Sequence, residues 1–182
     1  MNELRIEEIH GKEDCIPELK KLYNRNFPMD ERIPFKRLIR MLSDNRFMHA
    51  WYDGNTLIGL SVVFNHKDLI YLAYLVTEEK YRDHGYGSRI LQELETMYQG
   101  ERIVLDMEQL DDTADNAEER RSRRDFYIRN GFKGTGYWYR FFHVDYELLS
   151  YGGIVTGKEY HDLIIEHWGK IAEKAVFQDH PF

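Results

Sequence analysis

The stretch YLAYLVTEEKYRDHGYGSRILQELE, residues 71–95, decides how this chain is built. It opens inside LIYLAYLV (69–76), the most continuously apolar run in the sequence, which reads as a central strand covered on both faces. The loop Arg82-Asp-His-Gly85-Tyr-Gly87 follows, and a helix over Tyr86–Tyr98 begins at once, with Ile90, Leu91 and Leu94 on one face. Glycines there let the backbone turn tightly and aim successive N–H groups into one concavity. The free N–H groups of a helix's first turn and its dipole favour an anion in the same place. Arg82 adds a charged fork and Ser88 a hydroxyl, a combination suited to holding a pyrophosphate. The loop lacks the Gly-Lys-Ser/Thr of a Walker A motif and the third glycine of a dinucleotide fingerprint. The competing reading is a glycine-rich turn with Arg82 in solvent.

Outward toward the N-terminus, FMHAWY (47–52), the turn Asp53-Gly54-Asn55 and TLIGLSVVF (56–64) read as a β-hairpin. LRIEEI (4–9) alternates as a half-buried strand, and helical spacing marks Ile16–Phe27 and Phe35–Leu42. Toward the C-terminus, RIVLDM (102–107) is a strand and Ala117–Asn130 a helix, stopped by Gly131 where a left-handed cap residue belongs. Two aromatic-rich strands, YWYRFFHV and DYELLS, lie between Phe132 and Leu149. Thr156-Gly-Lys-Glu159 has the spacing of a capping box, and a stripe of Tyr160, Leu163, Ile164, His167, Trp168, Ile171 and Ala175 continues it as a helix. That helix would dock on its own domain or offer a surface for a homodimer. The order of elements predicts an α/β fold with one mixed sheet and helices on both faces.

At 182 residues the chain is about one domain's worth, read as 1–182 with a core over 3–149 and a helical appendage over 150–182. The net charge of −7 argues against nucleic-acid or anionic-membrane binding. No run approaches the ~20 apolar residues of a membrane span. MNELRIEEIH has no apolar signal region, and a single cysteine, Cys15, fits a reducing cytoplasm. Eight His form no H-x-x-x-H pair, so no metal is expected.

The loop Arg82–Gly87, together with Arg124-Asp-Phe126-Tyr127-Ile-Arg-Asn-Gly131-Phe132 one helix and one strand later, resembles the GNAT superfamily of acyl-CoA N-acyltransferases. The similarity extends over roughly residues 3–149. It implies a sheet whose fourth strand (69–76) splays from the fifth (102–107), with acetyl-CoA as co-substrate in that cleft. Carried over residue by residue, it puts the backbone of Leu75 and Val76 against the pantetheine arm. Tyr81, Arg82, His84, Gly85, Tyr86, Gly87 and Ser88 would surround the pyrophosphate, and Tyr127 would sit near the sulfur as proton donor. Arg120, Arg123 and Arg124 share Tyr127's helical face, and Arg124 would reach the cofactor; the interleaved Glu118, Glu119 and Asp125 equally suit a solvated face.

Direct transfer needs a neutral amine, donors for the developing oxyanion and a proton for the departing thiolate. Candidates for the general base are Glu31, in FPMDERIPF, and Asp106 and Glu108 at the end of the fifth strand. From Ile103 to Glu119 the chain has no Lys or Arg but seven carboxylates, a field that would draw a cationic amine, small molecule or peptide. A degenerate, non-catalytic acyl-CoA sensor of the same fold is the alternative; the loop and Tyr127 favour catalysis.

Overall fold

The computed structural model describes residues 3–29, 32–141, 143–169 and 175–179. The chain forms two compact units: Met1–Phe64 with Leu72–Met97, and Asn65–Tyr71 with Tyr98–Phe182. The apolar strand 69–77 begins in the second and ends in the first.

In the first unit, strand β1 (Arg5–Glu8) pairs antiparallel with β2 (Arg46–Asp53), which pairs with β3 (Thr56–His66). The hairpin reverses at Gly54, φ +59°, a value glycine adopts without strain. β3 neighbours β4 (Leu69–Thr77), whose alternate and intervening side chains are mostly buried, as a central strand requires. Helix α1 (Ile16–Asn26) carries Pro17 in its first turn, where a missing N–H costs nothing, and buries Leu19, Leu22 and Tyr23. Helix α2 (Phe35–Met41) buries Phe35 and Leu38. The Tyr23 hydroxyl donates to the Ile33 carbonyl at 3.0 Å, and the Ile33 N–H donates to the Tyr74 hydroxyl at 3.2 Å. Both backbone groups of that buried residue are thereby satisfied by tyrosines. Helix α3 (Tyr86–Met97) turns Ile90, Leu91 and Leu94 inward.

His49 and Ser61 are polar residues within this core. His49 is 1% exposed, with Nδ1 3.3 Å from the Ser61 hydroxyl, which also accepts from the Trp51 indole at 2.9 Å. Burial lowers its pKa from the ordinary 6.5 to about 4. The unfolded chain therefore binds the extra proton more readily between those values. Stability from neutral His49 is complete above pH 6.5 and is lost as pH falls toward 4, by about 3 kcal/mol in all. Thermal melts should show this acid limb in the wild type and lose it in His49→Gln; a limb that persists in the variant belongs to another group.

In the second unit, Leu69, Ile70 and Tyr71 of β4 pair in parallel with Arg102, Ile103 and Val104 of β5 (Arg102–Glu108). β5 pairs antiparallel with β7 (Val144–Tyr151), β7 with β6 (Lys133–Phe141), and β6 with β8 (Ala175–Asp179). The sheet is mixed, as expected. Helix α4 (Ala117–Arg129) ends in a complete left-handed cap. Gly131 has φ +87°, its N–H donates to Ile128 at 3.1 Å, and the Phe132 N–H donates to Tyr127 at 3.1 Å.

Helix α5 (Gly157–Trp168) starts with the capping box read from the sequence: Thr156 and Glu159 each satisfy the other's backbone N–H. Arg102 clamps that box, donating to Asp68 at 2.9 Å, to Glu159 at 2.8 Å and to the Ile154 carbonyl at 2.7 Å. This arginine and the Thr156 bonds hold the Glu159 carboxyl at about 2. Tyr160, Leu163, Ile164 and His167 are buried, so this part of the apolar stripe packs within the chain, while Trp168 is half-buried. The expected helix is too long: it stops at Trp168, and Ala175 lies in β8, whose backbone pairs with β6. Helical periodicity cannot register that pairing, which depends on a strand about 35 residues earlier in the chain. Ile171 lies outside the described residues.

Candidate active site

At the end of β4, Val76 is buried and Leu75 half-buried. The Glu78 N–H donates to the Ile58 carbonyl at 2.8 Å, and one turn of 3-10 helix, Glu79–Tyr81, follows. Asp83 (φ +60°) and Gly85 (φ +78°) are both left-handed. Such positive φ values mark a tight turn, and α3 begins at the next residue, Tyr86. The Arg89 N–H donates to the Gly85 carbonyl at 3.1 Å. By position, the N–H groups of Tyr86, Gly87 and Ser88 lack intrahelical acceptors and leave the positive end of the helix dipole at the loop. Residues 82–85 are exposed. The turn into α3 is thus built from the glycine-containing segment that the sequence singled out.

Its side chains are fastened from several directions. Arg82 donates to the Asn26 side-chain oxygen, and Arg25 grips both oxygens of Glu78 at 2.8 Å. The His84 Nδ1 lies 2.6 Å from the Arg82 carbonyl, so Nδ1 carries the proton there. Tyr86 donates to Asp53 at 2.6 Å, and this bond to a carboxylate raises its pKa. Tyr81 packs edge-on against Tyr86 at 5.8 Å, with the Lys80 ammonium 4.8 Å from the Tyr81 ring centre.

Sequence reading missed Gly59 of β3. A Cβ there would come within 2.6 Å of the Val76 carbonyl and 3.1 Å of Ile90. Only glycine lets β3 lie this close to the end of β4 and to α3, and a glycine inside a strand was the available signal.

Tyr127, Arg124, Asp106 and Glu108 belong to the second unit. Tyr127 is half-buried on α4, its ring 5.5 Å from Phe132 and 5.1 Å from Phe126. Burial pushes its phenol up to about 12, with the Arg123 charge opposing and the Asp106 charge adding. It is therefore protonated throughout the neutral range. Arg124 donates to Glu147 of β7 at 2.8 Å, an ion pair that offsets its charge.

The two β5 carboxylates have very different partners. Glu108 is 8% exposed and meets Arg120 at 2.7 Å, Asn116 at 3.2 Å and Arg123 at 3.7 Å. It fastens α4 to β5, and those bonds occupy both of its oxygens. Asp106 accepts from Tyr71 at 2.7 Å and from Tyr139, and the Tyr160 ring lies 5.7 Å from each tyrosine. It pairs across the sheet with Leu148 and so shares that residue's face. No charged group is bonded to Asp106 among these contacts, whereas Glu108 is ringed by guanidinium. Glu31 lies outside the described residues. Among the described residues no three His, Cys, Asp or Glu side chains group as a metal-ligand set, and no helix is long and apolar enough to cross a membrane.

A chain from Bacteroides thetaiotaomicron assigned to the GNAT family superposes with TM-score 0.74 over 91% of this chain and 98% of its own, at 22% identity. A GNAT acetyltransferase from Elizabethkingia anophelis, with acetyl-CoA bound, gives 0.59 over 83% and 99%, at 15% identity. The aminoglycoside 6'-N-acetyltransferase from Enterococcus faecium gives 0.63 over 81% and 96%, at 18% identity. At these identities the superpositions establish a shared fold. No curated protein sequence matches the chain. A sequence model of the acetyltransferase (GNAT) domain matches residues 43–134, half of the chain, from the hairpin through the glycine turn and α4 to the start of β6. Fold and sequence family agree, and the chain belongs to the GNAT acetyltransferase family.

Proposed function

We propose that the protein moves an acetyl group from acetyl-CoA to a primary amine, both bound at once. The observation that carries this reading is the loop: the left-handed turn at Asp83 and Gly85 leads the exposed residues 82–85, Arg82 among them, into the half-buried start of α3. The first N–H groups of that helix and the guanidinium suit a pyrophosphate, and the Elizabethkingia relative with acetyl-CoA bound supports the same co-substrate here. In this reading Leu75 and Val76 offer backbone groups to the pantetheine arm, and Tyr81, His84, Tyr86, Gly87 and Ser88 complete the phosphate site. Arg124 contributes orientation more than charge, because Glu147 already compensates it.

Acetyl-CoA supplies a thioester whose carbonyl carbon accepts the amine. The amine nitrogen forms the new C–N bond, the C–S bond breaks, and a base takes the ammonium proton. Of the β5 carboxylates, Asp106 fits the base better than Glu108, because no guanidinium is bonded to it. Glu31 is the other candidate. Tyr127 gives a hydrogen bond to the leaving sulfur. The cytoplasm is the compartment proposed, on the strength of a single free cysteine.

The acceptor proposed is cationic. A pocket of about 420 Å³ is lined by Asp111, Asp112, Asp145, Gln109, His143 and Arg120 at the exit of β5, where the sequence carries its run of carboxylates. CoA release from acetyl-CoA should be followed over a panel of polyamines, aminoglycosides, basic peptides and anionic amino acids. We expect turnover with a cationic member, and acetyl-CoA binding without CoA release from any amine would leave a sensor instead. Neutralising Asp111, Asp112 and Asp115 together to Asn should raise KM for the cationic acceptor several-fold and flatten its salt dependence. A triple variant matching wild type in both would reduce these carboxylates to a solvated surface.

A further inference from the structure

We infer that Asn26, at the last position of α1, is a positioning residue for the pyrophosphate site, holding Arg82 in place without cancelling its charge. This rests on the reading of the 82–88 loop as a phosphate cradle. Arg82 is exposed, and a free arginine side chain at the surface spreads over many rotamers, about 2 kcal/mol of entropy that phosphate binding would have to overcome. Here the guanidinium already donates to the Asn26 oxygen. The amide is itself oriented, because its nitrogen donates to the Leu22 carbonyl at 2.8 Å. Neither partner allows the reverse orientation: a carbonyl cannot donate and a guanidinium cannot accept.

The chemical type of the anchor carries the argument. Several other arginines of this chain are held by carboxylates: Arg25 on Glu78, Arg102 on Asp68 and Glu159, Arg120 on Glu108, Arg124 on Glu147; Arg32, by contrast, is tied to the Asn24 and Phe27 carbonyls. Each such ion pair is locally neutral, which suits a structural tie. An anion site needs the opposite, a fixed guanidinium whose charge is still available. An amide oxygen supplies the fixing alone. The neighbouring Arg25–Glu78 pair shows the division of labour: it secures the end of α1 to the entry of the loop, and Asn26 one residue later takes the side chain that faces the phosphate.

Calorimetric titration with CoA tests this, with pantetheine, which has no phosphate, as the control ligand. Asn26→Ala should weaken CoA about five-fold, the value of one pre-ordered side chain, and leave pantetheine unchanged. Asn26→Asp keeps an acceptor but adds a negative charge, and should weaken CoA more than Asn26→Ala. In an Arg82→Ala background, Asn26→Ala should have no further effect. If Arg82→Ala leaves CoA affinity intact, the phosphate reading of the loop fails. If Arg82→Ala weakens CoA but Asn26→Ala does not, or costs the same in both backgrounds, the loop reading stands and the positioning role is overturned. Asn26→Asp binding CoA as tightly as wild type would overturn the charge argument.

Discussion

Gly85→Val is expected to raise the dissociation constant for acetyl-CoA by at least about a hundred-fold while leaving the protein folded. Gly85 sits at φ +78°, where a β-branched residue is strained. A Cβ built there meets no atom within 4 Å, so nothing in the fold is pushed aside and the penalty falls on the backbone turn. To relieve it, the loop must abandon the turn that carries the chain from Arg82 into α3, on which the proposed pyrophosphate site depends. The strain itself is about 1–2 kcal/mol, a few degrees of melting temperature for a chain of this size. Affinity and stability should therefore separate, large loss against small. Gly87→Val should also abolish binding, because its side chain would stand in front of the N–H groups. Calorimetry on folded Gly85→Val showing unaltered acetyl-CoA binding would remove the pyrophosphate from this loop.

Tyr127→Phe should lower kcat about a hundred-fold, equivalent to about 2.7 kcal/mol of transition-state stabilisation, with acetyl-CoA affinity nearly constant. The ring is fixed between Phe126 and Phe132, and its carbonyl is held by the left-handed cap at Gly131, so deleting one oxygen should not disturb α4. A phenol at about 12 is a poor acid toward a thiolate of ordinary pKa ~8.5; complete proton transfer would run about 5 kcal/mol uphill. What it can give is a hydrogen bond that strengthens as charge develops on sulfur, with solvent protonating the released thiolate. Accordingly the kcat profile should carry no limb from Tyr127 between pH 6 and 10. A Phe variant with normal turnover when chemistry is rate-limiting would make Tyr127 a core aromatic.

Much of this was legible before any coordinates, and the reason differs from element to element. The hairpin at Gly54, the cap at Gly131, the capping box at Thr156 and the left-handed entry to α3 are encoded within five or six residues, where φ preference and side-chain-to-backbone bonds act directly. The strong apolar run at 69–76 announced a central strand because burial on both faces leaves no polar alternation. Partners were beyond reach. Asp106 and Glu108 are two residues apart on one strand and looked alike as bases, yet one is gripped by Arg120, Asn116 and Arg123 and the other by Tyr71 and Tyr139.

The sequence by itself determined the order of elements as far as α5, the caps at Gly131 and Thr156 and the glycine turn into α3, since each depends on neighbours in the chain. The tertiary structure alone decided which charges are compensated, and with that which residues stay available for chemistry. The Arg82 guanidinium meets the side-chain amide oxygen of Asn26, 56 residues away, whereas α4 brings the guanidinium groups of Arg120 and Arg123 onto Glu108. It also decided that Gly59 must be glycine and that the chain after α5 returns as a strand beside β6. Electrostatic pairing and close approach are set by distances across the fold, and no local pattern of residues contains those distances.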